Sequence, residues 1–221
     1  VSARPVLVLG AGGNCRDIVD AMNDVNRQAG EPMFEPRGYL DDDQAKLGRV
    51  VGGVPVLGPL SSAAEWADCW FIDGLNGTDL TAHKKDLLAG LGIPADRWAT
   101  VVHPSASVSR MAVLGTGTCI LQNVTVNSDA RIGDHVLVLP GSVISHDAVV
   151  DDYCYLTPSV VLCGYVHVAE AAYLGASSTV LPRVTIGARA VVGAGSVVLT
   201  DVAAGATVAG NPARVLGPSA R

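Results

Sequence analysis

The pair of residues best suited to bond-making chemistry is His146-Asp147. A positioned histidine can take up and return a proton, and an adjacent carboxylate can hold its ring in one tautomer and stabilise the imidazolium that forms. Near the start of the chain, Gly10-Ala11-Gly12-Gly13-Asn14 and the acidic Asp41-Asp42-Asp43 suit binding instead. Glycines let backbone N–H groups approach a phosphate at a helix N-terminus, and carboxylates at a strand end can accept from ribose or base hydroxyls. From the residues alone the blander readings stay open: a tight turn for the glycines and a solvated loop for the acids.

His146 is positioned by a six-residue rhythm. From Val108 to Val198 every sixth residue is Val, Leu or Ile, and four residues after each comes a small or compact one, from Ala112 and Thr118 through Ser142, Ala148 and Cys154 to Ser196 and Val202. This two-position code is the signature of a parallel β-helix. Six-residue units give one flat face each and three faces to a coil, so residues eighteen apart stack at the β spacing of about 4.8 Å. The aliphatic residue points inward, and the third and fourth positions of each unit fall at a corner, where His146 and Asp147 project without disturbing the core. Ser128 is expected beneath His146 and Gly164 above it, leaving open space over the imidazole and a backbone that no side chain shields. The same map tests for a metal. His135, His146 and His167 fall at different phases of the coil and lack the close i, i+5 pair of γ-class carbonic anhydrases, so no metal site is expected.

The glycine run is positioned by a different kind of pattern. Residues 6–9 read as a buried strand, and Ile18, Val19, Met22 and Val25 form one side of a following helix. Strand, glycine turn and helix open a Rossmann-like unit. Cys15 stands where the dinucleotide fingerprint needs its third glycine, which argues against NAD. Further strands are expected at 38–40 and 69–72 and a brief strand or turn at 53–58, with an N-capped helix at 61–66 and a basic-acidic helix at 80–91 carrying a solvated His83 beside Lys84 and Lys85. Residues 1–98 therefore read as a small parallel α/β domain. Gly10, Gly12, Gly13, Asn14, Asp41, Asp42 and Asn76 gather at the carboxyl ends of its strands as candidate substrate-binding residues. Residues 99–221 carry the solenoid, entered through His103-Pro104, where the histidine is held extended and reads as structural.

Composition bounds the function classes. Hydrophobic residues make up 49% and aromatic residues 5%, which suits thin aliphatic layers; charged residues are only 16%, so other copies of the chain are expected to cover part of the surface. A net charge of -6 argues against nucleic acid as a partner. The five cysteines are odd in number and form no C-x-x-C pair. With no signal-peptide pattern and no long apolar span, the expectation is a reduced, cytoplasmic protein without a membrane span.

Taken together, the chain resembles the sugar acyltransferase family of hexapeptide-repeat proteins, which includes nucleotide-amino-sugar N-acetyltransferases and sialic acid O-acetyltransferases. The likeness covers both halves: V-L-G-A-G-G at 8–13, G-Y-L-D-D at 38–42, V-H-P-S-A at 102–106, S-H-D at 145–147 and G-N-P-A-R at 210–214. It implies an α/β Rossmann-like domain followed by a left-handed β-helix, a homotrimer with active sites between subunits, acetyl-CoA in the groove between adjacent columns, and a nucleotide-linked amino sugar on the N-terminal domain. It implies His146 as general base, Asp147 as its support and the Gly164 N–H at the thioester oxygen. Tyr155, Gly193, Ala194, Arg189 and Arg214 complete the expected acetyl-CoA-binding set, the arginines as phosphate partners or else as ordinary surface cations. Two departures from the family bear on the acceptor. Asn14 replaces a common histidine, and Asp73-Gly74-Leu75-Asn76 differs from the usual G-N or G-D-N. The expected reaction is acetylation of the amino group; O-acetylation of a sugar hydroxyl and a non-enzymatic, sugar-nucleotide-binding trimeric scaffold are the alternatives.

Overall fold

The computed structural model describes residues 3–216; the outermost residues of the two expected segments, 1–2 and 217–221, lie outside it. The first part is a layered α/β unit. Strand β1 (Arg4–Leu9) leads through the glycine turn into helix α1 (Gly13–Ala29), followed by β2 (Phe34–Leu40), a short hairpin of β3 (Val50–Val51) and β4 (Val54–Gly58), β5 (Trp70–Asp73) and helix α2 (Thr78–Gly90). The sheet order is β3-β4-β2-β1-β5, parallel throughout except between β3 and β4. Central β1 is covered on both faces, so Val6, Leu7, Val8 and Leu9 are all fully buried, as expected of an unbroken apolar run in a parallel sheet.

One local expectation is corrected. Residues 60–65 form a 3-10 turn that starts after Pro59, with no side-chain cap from Ser61 or Ser62. Its first free amide, on Leu60, is met instead at 2.8 Å by Asp42, and the Ser62 hydroxyl turns back onto the Pro59 carbonyl. On α2, His83 is exposed as expected, and Lys84 beside it is fully buried.

From Val101 to Val198 the chain winds as a column of two-residue strands on three parallel sheets, closed by Thr207–Ala209 and the antiparallel Arg214–Val215. Val143 pairs with Val161 and Ile144 with Leu162, so residues eighteen apart stack, until the last coil shortens to sixteen, with Val191 beside Thr207. The aliphatic positions and the small residues four further on form one continuous buried core, Ile144, Ala148, Cys154 and Leu162 among them. At the corners the fourth residue of each unit takes a left-handed backbone, at Asp129, His135, Asp147, Tyr153, Tyr165, Arg183 and Arg189 for example. That conformation disfavours ordinary L-residues, and the ladder bonds on either side of each corner hold it in place.

The α/β unit docks on one of the three sheets. Val6, Val8, Cys15, Ile18, Val19 and Met22 pack in one cluster with Cys119, Leu121, Leu137, Leu139 and Tyr155 of the column. The other two sheets, and the corner between them, are left clear of it.

Candidate active site

His146 sits at that far corner, between the strands Val143–Ile144 and Val149–Val150. Its Nδ1 lies 2.8 Å from Asp147 Oδ2. The left-handed backbone at Asp147 turns the carboxylate back onto the ring of the residue before it. An Nδ1–H pointed at a carboxylate leaves Nε2 with its lone pair, the form a general base needs. The open space expected over the imidazole is not there, because the ring itself fills it. A Cβ added at Gly164 would stand 2.7 Å from His146 Cε1 and 2.8 Å from Nε2, so only glycine lets the imidazole lie across this backbone. The Gly164 carbonyl accepts from the Arg183 N–H at 3.1 Å; among the described residues its own N–H makes no backbone hydrogen bond.

The second cluster forms where the strands of the α/β sheet end. Gly10 donates to the Leu40 carbonyl, Gly74 to the Leu9 carbonyl, and the loops after β1, β2 and β5 come together as expected. Helix α1 starts at Gly13 with no side-chain cap and no acidic residue in its first turn, which leaves its positive end open to an anion. The side chains expected to read the ligand are partly spent on the loops themselves. Asp41 accepts from the Ala11 and Asp43 amides and pairs with Lys46 at 2.8 Å. Burial works against its charge, but those bonds outweigh it and hold the carboxyl below its usual range. Asp42 caps Leu60. Asn76 accepts from buried Lys84, whose ammonium also lies 2.8 Å from buried Asp73. Asp41, Asp42 and Asn76 thus each brace the loop edge. Asn14 reaches across to the column, donating from Nδ2 to the Tyr155 hydroxyl at 2.7 Å.

The expected donor-binding residues do not gather within one chain. Gly164 alone shares the His146 corner. Arg189 lies at the corner after Thr185–Ile186, Gly193 and Ala194 lie at the corner after Val191–Val192, and Arg214 lies in the last strand, its guanidinium turned to the Ala213 carbonyl. Tyr155 lies apart from the His146 corner: it is buried under the α/β unit, bonded to Asn14 and edge-on to Tyr173. Two residues at the His146 corner escaped the sequence reading. Tyr165 lies edge-to-face with the imidazole, ring centroids 5.3 Å apart, and the Arg183 guanidinium covers Tyr165 at 4.6 Å. The signal was present, since both follow Asp147 at steps of eighteen.

The other histidines are placed differently. His103 bridges Asp24 and Ser105, His167 faces Asp151, and His135 is stacked on Tyr153. Among the described residues no group of three or more His, Cys, Asp or Glu is arranged to hold a metal. Burial pushes the thiols of Cys15 and Cys154 up to about 12, which makes both inert as nucleophiles. Among the described residues no helix is long and apolar enough to cross a membrane.

No family model and no curated protein matches the sequence. Solved structures do. The GDP-perosamine N-acetyl transferase from Caulobacter crescentus, in complex with CoA and GDP-perosamine, is 31% identical over 98% of both chains with a TM-score of 0.82. The chain belongs to the hexapeptide-repeat sugar N-acetyltransferases. It is also similar to the acetyltransferase domain of PglB from Neisseria gonorrhoeae FA1090, 25% identical over 96% of this chain and all of that one, TM-score 0.84. WeeI from Acinetobacter baumannii AYE is 26% identical over 97% of this chain and all of that one, TM-score 0.79. At the His146 corner this sugar N-acetyltransferase carries an imidazole bonded through Nδ1 to Asp147 and lying across the Gly164 backbone.

Proposed function

We propose that this N-acetyltransferase moves the acetyl group of acetyl-CoA onto the amino group of a nucleotide-linked sugar. The observation that carries the reading is the His146 imidazole, bonded to Asp147 through Nδ1 and lying across Gly164. His146 Nε2 takes the proton of the sugar amine as its nitrogen attacks the thioester carbon. The carbonyl oxygen gathers charge at the Gly164 N–H. The C–S bond then breaks, and the imidazolium returns the proton to the departing thiolate, giving an amide and free CoA. Asp147 keeps the imidazolium oriented and stabilised throughout. The CoA and GDP-perosamine bound to the Caulobacter protein support this choice of donor and of acceptor class.

Residues 1–98, a Rossmann-like domain, hold the sugar nucleotide on the glycine loop and the α1 N-terminus. Residues 99–221, a left-handed β-helix, carry the transfer. Neither half completes a site alone. Tyr155 follows His146 by nine residues, half of an eighteen-residue coil, so Asn14 and Tyr155 stand across the whole column from His146. A homotrimer with sites between subunits resolves this, the glycine loop of one protomer facing the His146 corner of its partner. The five free cysteines fit a reducing compartment, the cytoplasm.

The test is release of CoA from acetyl-CoA across a panel of nucleotide-linked amino sugars and matched hydroxy sugars. An amino sugar is the expected acceptor. Full turnover of that acceptor by His146→Ala would overturn the mechanism, and a strict requirement for a hydroxyl would overturn the acceptor class.

A further inference from the structure

Tyr165 is a large aromatic side chain left half exposed, at 49%, beside the proposed base. Its ring has a partner on each side along one corner of the column. On one side lies the His146 imidazole, centroids 5.3 Å apart and planes at 86°; on the other lies the Arg183 guanidinium, 4.6 Å from the ring centroid. The backbones are tied in the same order, with the Tyr165 N–H bonded to the His146 carbonyl at 3.2 Å and the Arg183 N–H to the Gly164 carbonyl at 3.1 Å. Asp147, Tyr165 and Arg183 are successive members of one stack of left-handed corner residues.

His146 needs such a neighbour. Asp147 fixes one nitrogen of the ring and Gly164 supports one face, but the imidazole is 55% exposed and can still swing about its bond to Asp147. Edge-to-face aromatic contact is directional, and a guanidinium over the outer ring reduces the freedom of the ring that makes it. We propose that Tyr165, held by Arg183, is a positioning residue for the His146 imidazole, fixing the plane in which Nε2 meets the acceptor. The contribution comes from the ring; the hydroxyl plays no part. This rests on His146 being the base.

The experiment pairs kinetics with NMR of the His146 imidazole nitrogens in Tyr165→Ala, Tyr165→Phe and Arg183→Gln. Alanine already occupies the same left-handed corner position at Ala171, so the backbone accepts Tyr165→Ala. Small misplacements of a catalytic group cost up to about a hundredfold, and with two other restraints kept the expected loss in kcat is about tenfold for Tyr165→Ala. KM for acetyl-CoA should hold, the two nitrogen signals should move toward exchange averaging, Tyr165→Phe should restore both readouts, and Arg183→Gln should fall between. Unchanged imidazole signals in Tyr165→Ala would overturn the proposal, as would a loss confined to KM, which would make Tyr165 a donor contact. If His146 proves not to be the base, the NMR arm still reports the coupling while the kinetic arm shows no change, and the two failures are distinguishable.

Discussion

His146 and His103 each have an aspartate oxygen 2.8 Å from a ring nitrogen, yet the two sites are built for opposite ends. His103 is 8% exposed, and both its nitrogens are used, Nε2 by Asp24 and Nδ1 by Ser105, so it clamps α1 to the first coil of the column. His146 has one nitrogen used, the other free, and a glycine where any side chain would push the ring away. His167, 2.9 Å from Asp151, is a third such pair on an open face. A histidine–carboxylate distance therefore identifies no chemistry. What separates the proposed base from the clamp is the second nitrogen and what lies beneath the ring.

The comparison can be broken most directly at His146. His146→Ala should lower kcat by about 10²- to 10⁴-fold with the column intact by circular dichroism. Gly164→Ala comes next: the added methyl must displace the imidazole, and a drop in kcat of about 10- to 100-fold is expected. A Gly164→Ala enzyme of normal rate would show that the ring does not work from this position. Asp41→Asn should weaken binding of the nucleotide sugar, detected by calorimetry, by about 1.5 to 3 kcal/mol, since it strips charge-assisted bonds from the glycine loop.

The pH dependence has a definite sign. The folded-state pKa of Asp41 is depressed, so its stabilisation is fully present above the ordinary carboxylate range and is lost as pH falls through the depressed value. Thermal midpoints of wild type and Asp41→Asn should converge on acidification. His103→Ala should cost about 1 to 3 kcal/mol of stability in denaturant titration while leaving kcat unchanged, because it removes a buried bridging group. A fall in kcat at matched stability would erase the contrast between the two histidines. Smallest of all, His167→Ala should shift stability by no more than about 0.5 kcal/mol, as for an exposed pair.

Much of the architecture could be read from residue spacing. A strict sixfold rhythm admits one winding, because each aliphatic residue must reach the column's core and each compact residue must fit beside it. Stacking at eighteen follows from three faces, and it correctly set Gly164 over His146. The β1 run, the glycine turn and the first helix were legible for the same reason, local pattern matching local structure. Asp147 as the imidazole's partner was also legible, since neighbours in sequence cannot be far apart.

What the sequence left open were contacts between residues remote in the chain. The same acidic letters at 41 and 42 fit a ribose, a solvated loop or a cap; only the fold brings the Ala11 amide, Lys46 and Leu60 against them. Nothing in the local pattern marked Lys84 for the interior, where β5 places Asp73 beside it. Tyr155 is covered because α1 docks on its sheet and brings Asn14 to its hydroxyl. Periodicity determines where a residue stands on its own column. Which partners reach it is decided by how the α/β unit packs on that column, an energy summed over many distant residues.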